Sequence, residues 1–114
     1  MKPNISSRFR LWIDQGEKPY LGLGRVILLE KIGEYGSITR GAQSINMSYR
    51  KAWQLIEDMN KLSKEPLVIK RLGGKTGGGA ILTSAGKEAI QKYYELQNKI
   101  EAFADAETLK IDFS

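Results

Sequence analysis

Neither cysteine nor histidine occurs anywhere in the 114 residues. Their absence removes thiol nucleophiles, thiolate and imidazole metal sites, and the usual general base of acyl-transfer chemistry. An enzymatic role would have to do without its commonest side chains, and no catalytic, metal-binding or cofactor-binding residue is assigned. Long apolar stretches are missing too: no run approaches the ~20 residues of a membrane-spanning helix. The opening MKPNISSRFR lacks the apolar core of a signal peptide, so the cytoplasm is the expected compartment. What the chain does have is positive charge, with 18 Lys and Arg against 13 Asp and Glu and a pI near 9.5. That balance favours an anionic partner. The length fits one small domain with its own core.

Residues 1–6 read as a disordered start. From Ser7, SRFRLWID alternates, with Phe9, Leu11 and Ile13 on one face and Arg8, Arg10 and Trp12 on the other, which predicts a half-buried strand. Asp14 to Glu17 supplies a turn, and Lys18 to Leu21 returns as the partner strand of a hairpin. Trp12, on the polar face, is expected to pack under another element rather than to bind a base. After the break at Gly22-Leu-Gly24, a first helix runs from about Arg25 to Tyr35 and ends at Gly36. Ser37 caps a short second helix through Ile45, Asn46-Met47 turns the chain, and Ser48 caps a third helix to about Leu62, before Pro66. LVIKRL and AILT form a second hairpin with its tip at Gly73 to Gly79.

Thr83 or Ser84 then caps a long last helix through about Ala104. There Ala89, Tyr93, Leu96, Ile100 and Phe103 recur at alternating steps of four and three, the spacing of a coiled-coil seam. The seam predicts a homodimer made through these residues; the other reading packs it on its own domain. Residues 7–104 thus form the domain and 105–114 a tail, in which Leu109, Ile111 and Phe113 alternate.

The order of elements is a hairpin, a helix, a short helix joined by a tight turn to a longer one, a second hairpin and a long helix. A winged helix-turn-helix has this order, mainly α with a small β component. Winding the third helix at 100° per residue places Tyr49, Ala52, Trp53, Leu55, Ile56, Met59, Asn60 and Leu62 on one broad inner face. Arg50, Lys51, Gln54, Glu57, Asp58 and Lys61 take the outer face. Its first two turns carry Arg50, Lys51 and Gln54, suited to guanine, phosphate and adenine, while Glu57 and Asp58 further on would repel phosphates. Such sorting fits a recognition helix whose N-terminal end enters the major groove.

The glycine-rich RLGGKTGGGA ends its first half like a nucleotide-binding P-loop. That motif needs a glycine five residues before its Gly-Lys-Thr glycine, where this chain has Ile69. It also needs a helix to begin at Lys-Thr, where Gly77 to Gly79 follow. A wing tip fits better: glycines let the backbone approach a sugar-phosphate chain, Arg71 and Lys75 add charge, and Thr76 donates to a phosphate oxygen.

GRVILLEKIGEYGSITRGAQSINMSYRKAWQLIEDMNK and PLVIKRLGGKTGGGAILTSAGKEAIQKYYEL resemble the N-terminal DNA-binding domain of ModE-type molybdate-responsive transcriptional regulators, with wider kinship to the LysR helix-turn-helix. The motifs are GxGR before the first helix, GSI at the second, MSYRxAW at the third and GGxxGGGAxLT in the wing. The resemblance implies a winged helix-turn-helix dimer gripping operator DNA, with dimer contacts through the long terminal helix and N-terminal elements. It carries over Ser37, Ser48, Tyr49, Arg50, Lys75, Gly78 and Gly79 as DNA-binding residues; Thr39, Arg40, Lys51 and Gln54 are added from helix geometry. Full-length members of the family also carry C-terminal molybdate-binding domains, for which this chain is expected to have no room.

The expectation is a sequence-specific, homodimeric regulator on double-stranded DNA, with Arg50 and Gln54 reading bases. Ser37, Thr39, Arg40, Ser48, Lys51, Arg71, Lys75 and Thr76 would hold the backbone, and a separate effector-sensing protein stays open as a partner. The alternative is a winged-helix module that binds protein. The two differ in salt dependence, since counterion release weakens DNA binding steeply.

Overall fold

The computed structural model describes residues 4–71 and 79–113. Its elements run β1 (Trp12–Gln15), β2 (Lys18–Gly22), α1 (Leu23–Tyr35), α2 (Ile38–Ser44), α3 (Tyr49–Leu62), β3 (Val68–Lys70), β4 (Ala80–Leu82) and α4 (Ser84–Thr108). Four helices and two small antiparallel hairpins, β1–β2 and β3–β4, give a winged-helix-like fold, mainly α, as the sequence order predicts.

The first strand starts later than the alternation suggests. Trp12 pairs with Gly22, where β2 passes directly into α1, so residues 7–11 have no strand edge left to pair with. They lie along α4 instead: the Tyr93 hydroxyl donates to the Leu11 carbonyl at 2.9 Å, and the Thr108 hydroxyl lies 2.8 Å from that of Ser7. Phe9, expected inside, is exposed. The hairpin itself turns at Gly16 (φ 63°) and bulges between Ile13 and Asp14. Trp12 meets its expected neighbour only in part. One face of the indole lies against Gly22, where any Cβ would collide with the ring, yet the side chain is 51% exposed.

Helix α1 is the centre of the core. Val26, Leu28, Leu29 and Ile32 are all fully buried, a stripe wider than one face, because α2, α4, β2 and β4 all pack on this helix. It takes in Gly24 rather than starting at Arg25, and ends where Gly36 adopts φ 66° and its N–H reaches the Ile32 carbonyl at 2.8 Å, a left-handed residue just past the helix. Ile38 and Ala42 of α2 and Ala52, Ile56 and Met59 of α3 close the core from one side; Leu67, Val68, Ala80 and Tyr93 close it from the other.

The long helix α4 runs past Ala104 to Thr108, about 37 Å at 1.5 Å per residue, and gives the molecule a long axis of 61 Å. Tyr94 ties it to α1 through a 2.6 Å hydrogen bond from its hydroxyl to Glu30. Burial, reinforced by that bond and the Glu30 charge, pushes the Tyr94 phenol up to about 12.

Candidate nucleic-acid interface

The turn between α2 and α3 is set by local chemistry. Ile45 and Met47 both donate backbone N–H groups to the Ala42 carbonyl, at 3.1 and 2.9 Å, and Asn46 takes φ 55°, a left-handed conformation that Asn tolerates better than most residues. Each helix then begins with a serine cap. Ser37 accepts from the Arg40 N–H at 3.2 Å, and Ser48 from the Lys51 N–H at 3.1 Å. These caps satisfy otherwise orphaned donors and hold the first turns of both helices in register.

Around these caps the predicted residues do come together at the surface. Thr39, Arg40, Ser48, Arg50, Lys51 and Gln54 are exposed, and Ser37 is half-buried. The Arg40 guanidinium sits 5.4 Å from the Tyr35 ring centroid. Gln54 donates to the Asp58 carboxylate at 2.9 Å, so its amide is held by the next turn of its own helix and must turn away to meet a base.

Two aromatic residues of α3 depart from the helical-wheel reading. Tyr49 and Trp53 fall on the inner face by phase, yet they are 51% and 38% exposed. The core takes in Ala52, Ile56 and Met59, with Leu55 partly buried against it, and among the described residues Tyr49 in the first turn is left half exposed. Tyr49 therefore joins Arg50 on the open surface.

The second hairpin stands beside this helix in the position of a wing. Its strands pair Val68 with Leu82, Ile69 with Ile81 and Lys70 with Ala80, and the Arg71 N–H continues the ladder to the Gly79 carbonyl at 2.7 Å. Arg71 is exposed. Lys75, Thr76 and Gly78 lie outside the described residues. Gly79 has a structural role: a Cβ there would stand 2.8 Å from the Gly36 carbonyl, and Ala80 donates to that same oxygen at 3.0 Å. Its lack of a side chain lets the wing dock on the end of α1.

Sequence reasoning missed the residues that fix the wing to α3. Asn60 accepts from the Leu67 N–H at 2.7 Å and donates to the Val68 carbonyl at 3.0 Å, joining the end of α3 to β3. Lys70 reaches back to Glu57 at 3.1 Å and lies 4.1 Å from the Trp53 ring centroid. A polar residue on the inner face was the one signal for Asn60. The Lys70 partners lie on another element, and no local spacing announces them.

The α4 seam divides in two. Ala89 and Tyr93, expected at a dimer interface, belong to the core of their own domain, at 9% and 0% exposure. The element-poor N-terminal segment needs an anchor, and the Tyr93 hydroxyl provides it through Leu11. Beyond them Leu96 and Phe103 are exposed and Ile100 half-buried.

No protein-family model matches the chain. Among curated proteins it is similar to the molybdenum transport protein ModE of Azotobacter vinelandii, 38% identical over 96 residues, which cover 84% of this chain and 36% of that protein. The ModE-type match extends to the transcriptional regulator ModE of Yersinia pestis, 51% identical over 69 residues, or 60% of this chain and 26% of that protein. This chain carries a ModE-like domain. The DNA-binding transcriptional dual regulator ModE of Escherichia coli K12 is 40% identical over 92 residues, or 77% of this chain and 35% of that protein. The chain thus spans between about a quarter and just over a third of the length of these ModE relatives.

Among the described residues no helix is long and apolar enough to cross a membrane, and no group of three or more acidic side chains could hold a metal ion.

Proposed function

We infer that this chain is a sequence-specific DNA-binding transcriptional regulator rather than an enzyme. The N-terminal half of α3 enters the major groove, where Arg50 and Gln54 read base edges and Tyr49 packs at the groove edge. Ser37, Thr39, Arg40, Ser48, Lys51 and Arg71, with Lys75, Thr76 and the glycines of the wing, hold the backbone. The observation that carries this reading is the first half of α3, where Tyr49, Arg50, Lys51 and Gln54 are all exposed, flanked by a wing pinned through Asn60 and Lys70. Arg and Gln suit guanine and adenine edges in the major groove. The ModE relatives named as transcriptional regulators agree with it.

The regulator acts as a homodimer through the distal part of α4, where Leu96, Ile100 and Phe103 offer an apolar row to a second copy. Two copies on one face of the duplex place half-sites about one helical turn, ~34 Å, apart.

The same apolar row supports a second reading, a winged-helix module that binds another protein. Selection from a pool of randomised duplexes at low and at moderate salt separates the two. An inverted repeat, retained weakly at the higher salt, is the expected result. Retention without sequence bias overturns specific readout, and no retention at low salt favours the protein-binding module.

A further inference from the structure

The recognition helix has two flanks, and the wing guards only one. Residues 200° apart on a helix lie on nearly opposite sides. Trp53 and Glu57 face the wing through Lys70. Lys51 and Leu55 face the other way, into a cleft of about 570 Å³ between α3 and the N-terminal hairpin.

The rim of that cleft is cationic. Arg10 from the segment before β1, Arg25 from the first turn of α1 and Lys51 from α3 all line it, with Asp14 as an opposing carboxylate. None of the three cations is in an ion pair with a described residue. Arg25 is oriented by a 3.2 Å hydrogen bond to the Pro19 carbonyl, and Arg10 lies 5.7 Å from the Trp12 ring centroid. Trp12 is itself held flat against Gly22. Hydrogen-bonded and stacked guanidinium groups retain their charge while losing part of their side-chain freedom, so less entropy remains to be lost on binding an anion.

We propose that the cleft beside the N-terminal hairpin is a second grip on DNA: Arg10, just before β1, and Arg25, in the first turn of α1, hold backbone phosphates on the flank of α3 opposite the wing. The cations are continuous with Lys51 at the start of the helix, and the excess of three positive charges over one negative matches a polyanion. This inference rests on α3 being the DNA-reading helix.

The test uses the whole chain and the duplex recovered by selection. Affinity is followed from about 50 to 200 mM salt for wild type, Arg10→Gln/Arg25→Gln and Arg10→Lys/Arg25→Lys. Each lost phosphate contact lowers the slope of log affinity against log salt by about 0.9. The Gln pair should therefore lose about two units of slope, so that its affinity falls about ten-fold less than wild type over that range. The Lys pair should keep the wild-type slope, and circular dichroism on each variant confirms the fold. A wild-type slope in a folded Gln pair overturns the second grip while leaving α3 readout intact. Failure of wild type to bind any duplex overturns both. Thermal stabilisation of wild type by phenyl phosphate, lost in the Gln pair without any change in DNA slope, overturns the grip in favour of a small anionic ligand.

Discussion

Helices α3 and α4 both carry an apolar stripe into the same core, and they differ in what they leave outside. The outward side of α3 is polar, with Arg50, Lys51 and Gln54 near its start and Asp58 further along. The distal part of α4 leaves large apolar side chains in water: Leu96 at 40% exposure and Phe103 at 67%. Exposed cations are well hydrated and, by neutralising phosphates, release the counterions condensed on a nucleic acid. Exposed apolar rings gain only when another apolar surface covers them. The two surfaces differ in chemistry, one polar and cationic and the other apolar; in the function proposed above the first meets nucleic acid and the second another protein.

The largest effect should come from the end of α4 that has no outward role. Tyr93→Ala removes a fully buried ring and the anchor of Leu11, and urea unfolding should show a loss of about 3–5 kcal/mol. Unchanged stability with altered association would return Tyr93 to the dimer seam and erase the division of α4.

Next is the bare end of the same helix. Ile100→Glu with Phe103→Glu should raise the dimer dissociation constant at least about a hundred-fold, roughly 2.7 kcal/mol, seen by sedimentation equilibrium with the far-ultraviolet spectrum unchanged. An undisturbed dimer would mean that copies meet elsewhere.

On α3, Arg50→Ala should weaken cognate duplex by about 1–3 kcal/mol and relax specificity at one base pair, with folding stability within about 0.5 kcal/mol of wild type. Equal losses on cognate and scrambled duplexes would reduce Arg50 to a phosphate contact.

The smallest effect concerns the bond that holds α4 to α1. The Tyr94 phenol is raised in the folded state from 10.0 to about 12. A folded-state value above the unfolded one contributes stability that is complete below about pH 10 and is lost as pH rises through about 12. Tyr94→Phe should remove that part of the alkaline loss, leaving a shallower decline between about pH 9 and pH 11.5 in urea titrations. An identical decline would show that burial and Glu30 do not raise the Tyr94 phenol in the folded protein.

Much of the candidate surface was legible because the rules that build it are local. Ser37, Ser48 and Gly36 cap or close their helices through partners within four residues, and a short sequence window contains both halves of such an interaction. The wing pairing was legible from two apolar runs around a glycine loop. Tyr49 and Trp53 were misplaced because a helical wheel gives the phase of a residue and nothing about how far neighbours extend along the axis. Tyr93 was misplaced for the related reason that the seam spacing of a helix is the same whether its partner is another copy or its own core. Asn60 and Lys70 act across elements, and their geometry exists only once α3 and β3 are side by side.

The chain has two tryptophans, and the fold puts neither in the core. Trp53 sits beneath Lys70 on the wing flank of α3, and Trp12 lies on Gly22 on the hairpin flank. Both indoles are already partly in water, so intrinsic fluorescence should change little in wavelength when the protein unfolds. A duplex seated between the wing and the hairpin would shield both at once. Near-ultraviolet emission is thereby a built-in optical gauge of occupancy, needing no dye on either molecule.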